Sequence, residues 1–504
     1  MKLVAYALLG IAVAFAAAQP AWPENLPDSQ TLRDRSAAAY GPEPEAYKET
    51  FDFTDTSGSG RRITFRRGPD RRVIFDGGTF GRESGVYKGD RWHENENGHV
   101  VLDQADPGLE SGETFTTTVT RVSTPVNAYV IANLNASGHG TREYIDPSSY
   151  FVVRRENIAP NGTTVTVYDT FRAFGTRHLA THWTVHDEKS GTDTEYTLRE
   201  YTAGDVADAD VAIPIQKRML VEFPDGQNRV VLPARFEPSG HVLVHVTIAG
   251  RGLDLMLDTG ASTITIDPGV AASLGLTVTN QQQSSVNAGR FPTGQVFVHE
   301  IAVGPLTMHD VAVQIVPWDW QEAGARAVGL LGFDFLCESG ITIDYERQTV
   351  TAERYGWYAP PTDPRTIELD ARLGSQVPLT SVAIDGAVAE RMMVDTGGAG
   401  PFLLFDYFTR HHPGLNLHTA VGPPRQLSGA GGLFNSAPVE IDDLTLGNVH
   451  FRDFWGFRAS AASYAQNADG VIGPAFLSFF DVHLDYPNGK IYLVPNATGL
   501  RFMH

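Results

Sequence analysis

Leu255-Met256-Leu257-Asp258-Thr259-Gly260-Ala261-Ser262-Thr263 decides how this chain is read, because it returns near the C-terminus as Met392-Met393-Val394-Asp395-Thr396-Gly397-Gly398. In both places an apolar run ends abruptly on an acid, followed by a hydroxyl residue and a glycine. Before the first copy, Val244, Val246 and Ile248 alternate with polar residues, Gly250-Arg251-Gly252 supplies a turn, and Leu253, Leu255 and Leu257 alternate back. Period-two alternation around a glycine turn predicts a β-hairpin whose second strand delivers Asp258. The second copy has Val382 and Ile384, a turn at Asp385-Gly386, and an apolar run into Asp395.

Three further landmarks repeat. Leu330-Leu331-Gly332 recurs as Val471-Ile472-Gly473, Phe335-Leu336 as Phe476-Leu477, and Ile343-Asp344-Tyr345 as Leu484-Asp485-Tyr486. These three intervals are equal, and the interval between the Asp-Thr-Gly motifs is slightly shorter. Matched internal spacing marks a duplicated unit. A lone Asp-Thr-Gly arises by chance in roughly one chain in ten of this length; two with matching sequels do not. Pro360, Pro361 and Pro364 make residues 356–366 an extended linker, since proline fixes φ and lacks a donor. It divides the duplicated half into residues 228–355 and 367–500.

An acid placed directly after buried apolar residues is costly to ionise unless it receives hydrogen bonds. Thr offers a hydroxyl and Gly a close backbone approach, so Asp-Thr-Gly can form a turn that solvates its own carboxylate. Two such turns face to face would share one proton, because like charges at that distance do not both ionise. A water between them could lose a proton to one carboxyl while the other polarises a carbonyl, which is amide hydrolysis without metal or covalent intermediate.

With these motifs, residues 230–494 resemble the retropepsin-like aspartic proteases of the pepsin superfamily. The resemblance implies an all-β fold of two tandem acid-protease barrel lobes, with Asp258 and Asp395 as catalytic aspartates. It implies that Thr259 and Thr396 hold the two loops together across the lobes, with Gly260 and Gly397 completing the turns. It also implies that the two apolar–apolar–Gly elements back those loops. Retropepsins usually carry one motif per chain and dimerise; both motifs here sit on one chain, so a monomer with intramolecular lobe pairing is expected. By position, residues 285–295 and 427–434 would be covering flaps, the second with a glycine-rich tip. The second loop continues Gly398-Ala399-Gly400-Pro401 where the first has Ala261-Ser262-Thr263, so its shape is expected to differ.

The rest of the chain sets boundaries. Of 504 residues 42% are hydrophobic, and the formal net charge is −20, which disfavours nucleic acid and anionic membrane surfaces as partners. One cysteine, Cys337, excludes an intrachain disulfide and a cysteine-rich metal site. Lys2, the apolar residues 3–18 and the boundary Ala16-Ala17-Ala18 read as a signal peptide at 1–18. The run is shorter than the roughly 20 residues that span a bilayer, so a chain exported to the periplasm or beyond is expected, with no membrane span. After a leader ending near Pro44, residues 62–66, 150–154, 163–168 and 181–186 read as short strands between polar turns, giving an antiparallel β-rich domain at 19–225. Its Tyr87-Lys88-Gly89-Asp90-Arg91-Trp92 fragment loosely resembles the half-barrel of lipoprotein-carrier proteins.

Other patterns carry less. Asp55-Thr56-Ser57-Gly58 lacks glycine in register and reads as a solvated turn. His93-Glu94 lacks a second histidine four residues after His93, so no helical zinc pair forms and no metal or cofactor is expected. His411-His412 before Pro413 reads as a helix end, Asp344 and Asp485 as structural, Trp318 and Trp320 as core or cleft lining, and Cys337 as a small buried hydrophobe. The expected activity is an aspartic endopeptidase acting on a peptide or protein. The alternative is a non-catalytic protein that holds extended peptides in the same cleft by strand addition.

Overall fold

A computed structural model describes residues 26–502, apart from 56–57, 78–81, 104–113, 160–161, 189–190, 216–218, 287–288, 319, 375, 416, 420–421, 423–424, 430–431 and 460–467. The expected signal peptide at 1–18 lies outside the described residues. The protein is mainly β throughout. Among the described residues the N-terminal region is one 13-stranded antiparallel sheet of two meanders, joined where Ala46–Asp55 pairs with Thr192–Ala203. The stretch read as a leader contains helix Ser29–Tyr40, capped by Asp28 and packed through Leu32 on Ile131 and Ile145. Only Leu32 and Ser36 of that helix are buried, so it has no apolar stripe from which sequence periodicity could reveal it. The strand expected from residue 150 starts at Val152, because Tyr150, at φ 58, closes a turn onto the Asp146 carbonyl.

The C-terminal half forms two β lobes, each built on a nine-stranded sheet among the described residues. The hairpin Val242–Ile248 with Arg251–Leu257 has the register that the alternation implied, with Leu243 opposite Met256 and Val246 opposite Leu253. Val377–Ile384 with Ala387–Val394 repeats it. Each apolar–apolar–Gly element runs parallel beside the strand that ends on the acid: Leu257 pairs with Leu331, and Val394 with Ile472. Leu255, Leu257, Leu331, Val394 and Ile472 are all fully buried. At roughly 1.5–3 kcal/mol for each such side chain, this packing offsets the cost of carrying a carboxyl group inside.

Among the described residues a six-stranded sheet joins the lobes, in the order Arg229–Leu232, Thr349–Arg354, Ser339–Asp344, Phe480–Asp485, Lys490–Pro495, Ile367–Asp370. Each half of this order is the repeat of the other, read outward from the centre. The duplicated Ile343-Asp344 and Leu484-Asp485 strands lie antiparallel at that centre, with Ile341 opposite Leu484. Asp344 and Asp485 therefore end adjacent strands and bond into their own turns, Asp344 to Arg347 and Asp485 to Asn488. Val221–Glu222 also pairs with a lobe 1 strand, Leu306–Ile315, so the lobe 1 sheet takes in residues ahead of 228.

Candidate active site

The two Asp-Thr-Gly turns meet at the pseudo-twofold axis. Asp258 N–H donates to the Leu331 carbonyl at 3.1 Å and Asp395 N–H to the Ile472 carbonyl at 3.0 Å. Within each turn the glycine amide solvates the acid: Gly260 N to Asp258 Oδ1 at 2.8 Å, and Gly397 N to Asp395 Oδ1 at 2.9 Å. The threonines cross between lobes. Thr259 Oγ1 donates to the Val394 carbonyl at 2.6 Å and accepts from Thr396 N at 2.9 Å. Thr396 Oγ1 donates to the Leu257 carbonyl at 2.7 Å and accepts from Thr259 N at 3.1 Å. Both threonines are fully buried, so each hydroxyl satisfies one donor and one acceptor that would otherwise be stranded.

Glycine is needed at both turns because of the opposite acid. A Cβ on Gly260 would stand 2.6 Å from the Asp395 carboxyl carbon, and one on Gly397 would overlap the Asp258 carboxyl. The two acids are thereby held against each other's loops. Burial, the Asp395 charge and the hydrogen bond to Asp395 raise the Asp258 pKa well above the ordinary carboxylate value. Burial also raises that of Asp395, with the hydrogen bond from Asp258 and the Gly397 amide working the other way. Asp258, at 6% exposure, is the more enclosed. Both sets of effects favour one proton shared by the pair.

Flap position 285–295 falls on the hairpin Thr279–Val286 with Gly289–Val303, whose tip residues 287–288 lie outside the described residues. Position 427–434 falls on Arg425–Gly429 with Gly432–Leu446, where 430–431 lie outside them. Trp318 and Trp320 pack on Ala261, Met256 and Leu330 beside the first Asp loop. His411 ends the helix Asp406–His411. Asp55 accepts the Gly58 amide at 3.1 Å, and Thr56 and Ser57 lie outside the described residues.

Two groups at the site were not legible in the sequence. The first ties the N-terminal sheet to lobe 1. Its turn at Asn95, Asn97 and His99, all buried, reaches Asp334, just past the Leu330-Leu331-Gly332 element. Asn95 Nδ2 donates to Asp334 Oδ1 at 2.8 Å, and His99 Nδ1 lies 3.2 Å from the same oxygen. His99 Nε2 meets Glu338 at 2.6 Å, and Glu338 also accepts the Leu220 and Val221 amides. The other Asp334 oxygen accepts from Thr263 Oγ1 at 2.6 Å and from Ile264 N at 3.3 Å. The N-terminal sheet thus supports the loop that follows Asp258. Burial opposes a charge on His99, yet Cys337, Asp334 and Glu338 carry its pKa well above the ordinary histidine value. Cys337, expected as a plain hydrophobe, borders this polar cluster with its Sγ 3.9 Å from the Asp334 carbonyl. In lobe 2 the repeat places Ala475 and Phe479 where Asp334 and Glu338 stand; that break in the duplication was the available signal.

The second group is His241, taken up below. His93, the other histidine of the zinc-like pattern, pairs with Asp103 at 2.7 Å. Among the described residues no group of three or more His, Cys, Asp or Glu is arranged to hold a metal ion. No helix of the described residues is long and apolar enough to cross a membrane. A polar cavity of about 330 Å³ lies between the N-terminal sheet (Arg82, His93), the loop after Asp258 (Ser262, Thr263) and Gln376 of lobe 2.

Comparison with known proteins gives three results. Residues 244–335 match the aspartyl protease family model. The chain is similar, at 29% identity over 120 residues, to an uncharacterized protein in the cobV 5' region of Sinorhizobium sp, covering 23% of this chain and 48% of that relative. It therefore spans about half the length of the curated relative it matches. Among solved structures, it is similar to an aspartic proteinase from Irpex lacteus (12% identity, TM-score 0.35, 54% of this chain and 99% of that one). It is also similar to a LolA superfamily protein from Nitrosomonas europaea (11% identity, TM-score 0.29, 36% and 96%). The segment around Asp258 is thus aspartic-protease-like.

Proposed function

We propose that this chain is an exported aspartic endopeptidase, with two tandem retropepsin-like lobes contributing one acid each to an Asp258/Asp395 dyad. The observation that carries the reading is the reciprocal Thr259/Thr396 network, which holds two carboxyl groups face to face at the end of two buried strands. A water between the carboxyls gives a proton to ionised Asp395 and attacks the peptide carbonyl carbon. Protonated Asp258 gives its proton to the carbonyl oxygen. Collapse of the gem-diol breaks the C–N bond; the amide nitrogen takes the proton held by Asp395, and a diol proton returns to Asp258 as the carboxyl product forms. The burial that raises both pKa values lets a carboxylic acid stay protonated well above its usual range.

Both loops come from one chain, which favours a monomer, and the N-terminal sequence pattern favours export. Substrate is a peptide or protein laid across the cleft. The test is cleavage of a mixed peptide library by the purified chain from about pH 3 to pH 8, with Asp258→Asn beside it. Cleavage lost in the variant supports the reading. A folded wild type that binds peptides and cuts none at any pH overturns it in favour of a peptide-holding role.

A further inference from the structure

The two Asp loops part at Gly398. In lobe 1 the carbonyl of Ala261 accepts the Phe333 N–H at 3.0 Å. By the repeat, the corresponding residues in lobe 2 are Gly398 and Pro474, and proline has no N–H to give. The Gly398 carbonyl is met instead by a side chain from the opposite lobe, His241 Nε2 at 3.0 Å.

The local backbone permits that approach. Gly240 adopts φ 91, and a Cβ there would stand 2.5 Å from the Pro474 carbonyl oxygen, so the residue before His241 has to be glycine. Behind the ring, Nδ1 lies 2.6 Å from Ser239 Oγ, and Ser239 Oγ in turn contacts Glu322 Oε2. Glu322 also accepts the Ser239 amide at 3.2 Å, and the Trp320 ring packs 5.1 Å from the imidazole. His241 is 7% exposed. Counting back from the equivalent turns at Gly250 and Gly386, its counterpart in lobe 2 is Val377, so the device serves one loop.

Proton counting shows what the row can do. Gly398 O only accepts, so Nε2 carries a hydrogen. The Ser239 hydroxyl has one proton for two neighbours, Nδ1 and the Glu322 carboxylate. With neutral imidazole one of those contacts lacks a hydrogen; with imidazolium, Nδ1–H donates to Ser239 and Ser239 donates to Glu322, and every contact is made.

We propose that His241, backed by Ser239 and Glu322, is a positioning residue of the dyad: it replaces the missing main-chain donor at Gly398, fixes the second Asp loop, and sets a protonatable ring beside Asp395. Its effect on turnover rests on the aspartic peptidase reading above. The charged groups facing the ring are Glu322 and Asp395, with Asp258 beyond. Glu237, whose amide bonds the His241 carbonyl, is ion-paired to Arg235. Burial lowers the His241 pKa, opposed by the Gly398 carbonyl, Glu322 and Asp395, so the ring takes its second proton only in acid. There its charge favours ionised Asp395, the form that accepts the proton of water.

The experiment compares kcat, KM and the pH profile of wild type, His241→Leu, His241→Gln and Glu322→Gln. His241→Leu is expected to lower kcat by about tenfold to a hundredfold with KM little changed, as for a misplaced catalytic group. His241→Gln, which keeps a donor without the charge, restores kcat near neutral pH but moves the acid limb upward by about one unit. Glu322→Gln moves that limb in the same direction. Wild-type kcat and an unmoved acid limb in His241→Leu overturn the proposal. Should that variant not fold, an unmoved limb in both glutamine variants does so. If the wild type cleaves nothing, the peptidase reading fails separately. The Asp395 carboxyl is then titrated by 13C NMR, with Asp395→Asn to assign it: an upward shift in His241→Gln supports the positioning role, and identical titrations overturn it.

Discussion

Thr259→Val removes one hydroxyl from the interface between the lobes and preserves the side chain's shape. In the folded protein that hydroxyl donates to the Val394 carbonyl at 2.6 Å and accepts from Thr396 N at 2.9 Å, in a site with no solvent exposure. The variant therefore strands one buried acceptor and one buried donor. At roughly 1–3 kcal/mol for each unsatisfied group, the loss is about 2–6 kcal/mol, far above the usual effect of a near-isosteric change. Thr396→Val strands the Leu257 carbonyl and Thr259 N in the same way, so the two costs are expected to agree within about 1 kcal/mol, the spread of net hydrogen-bond contributions. Urea unfolding of the C-terminal lobes, followed by tryptophan fluorescence, measures both. A cost below about 1 kcal/mol in either variant would refute the claim that these hydroxyls carry the lobe interface.

Three further outcomes follow from the same geometry. Asp258 has a raised pKa, so the folded state holds a proton that the unfolded state releases above about pH 4, and stability falls as pH rises through that window. Asp258→Asn should therefore melt higher than wild type at neutral pH, the gap closing towards pH 4; equal melting at both would contradict the buried, coupled pair. His99→Leu breaks a buried charge pairing and should cost about 3 kcal/mol, the low end for such a loss, since Asp334 and Glu338 keep their amide donors. Because the His99 pKa is raised, that contribution is complete below about pH 6.5 and fades as pH rises through the folded value; a pH-independent gap in melting temperature would refute it. Gly240→Ala forces a side chain into φ 91 and against the Pro474 carbonyl. It should cost at least about 1–2 kcal/mol and lower kcat through the second Asp loop; a stable, fully active variant would speak against that contact.

The fold around the candidate site was legible where the chain repeats itself. Alternation from Val244 to Leu257 gave the hairpin and its register, and the equal spacing of Gly332 with Gly473 located the strands that flank each acid. What stayed hidden is what the duplication does not share. In the repeat Ala475 stands at the position of Asp334, Phe479 at that of Glu338 and Val377 at that of His241, and a single odd residue leaves no period to detect. The docking of Asn95 and His99 joins positions 239 residues apart in sequence through buried polar contacts, which hydrophobic patterning does not encode. Helix Ser29–Tyr40 escaped for a related reason, since one buried leucine and one buried serine hold it to the sheet.

The central claim is that one acid from each lobe acts on the same water, so the most direct measurement is the cleavage rate of one oligopeptide by Asp258→Asn and Asp395→Asn, each alone, with folding checked by thermal melting. Removal of either member of a unit that works together costs about as much as removal of both. Both single variants are predicted to fall at least about a thousandfold and to lie within about tenfold of each other. Retained cleavage in either folded variant would contradict a shared dyad.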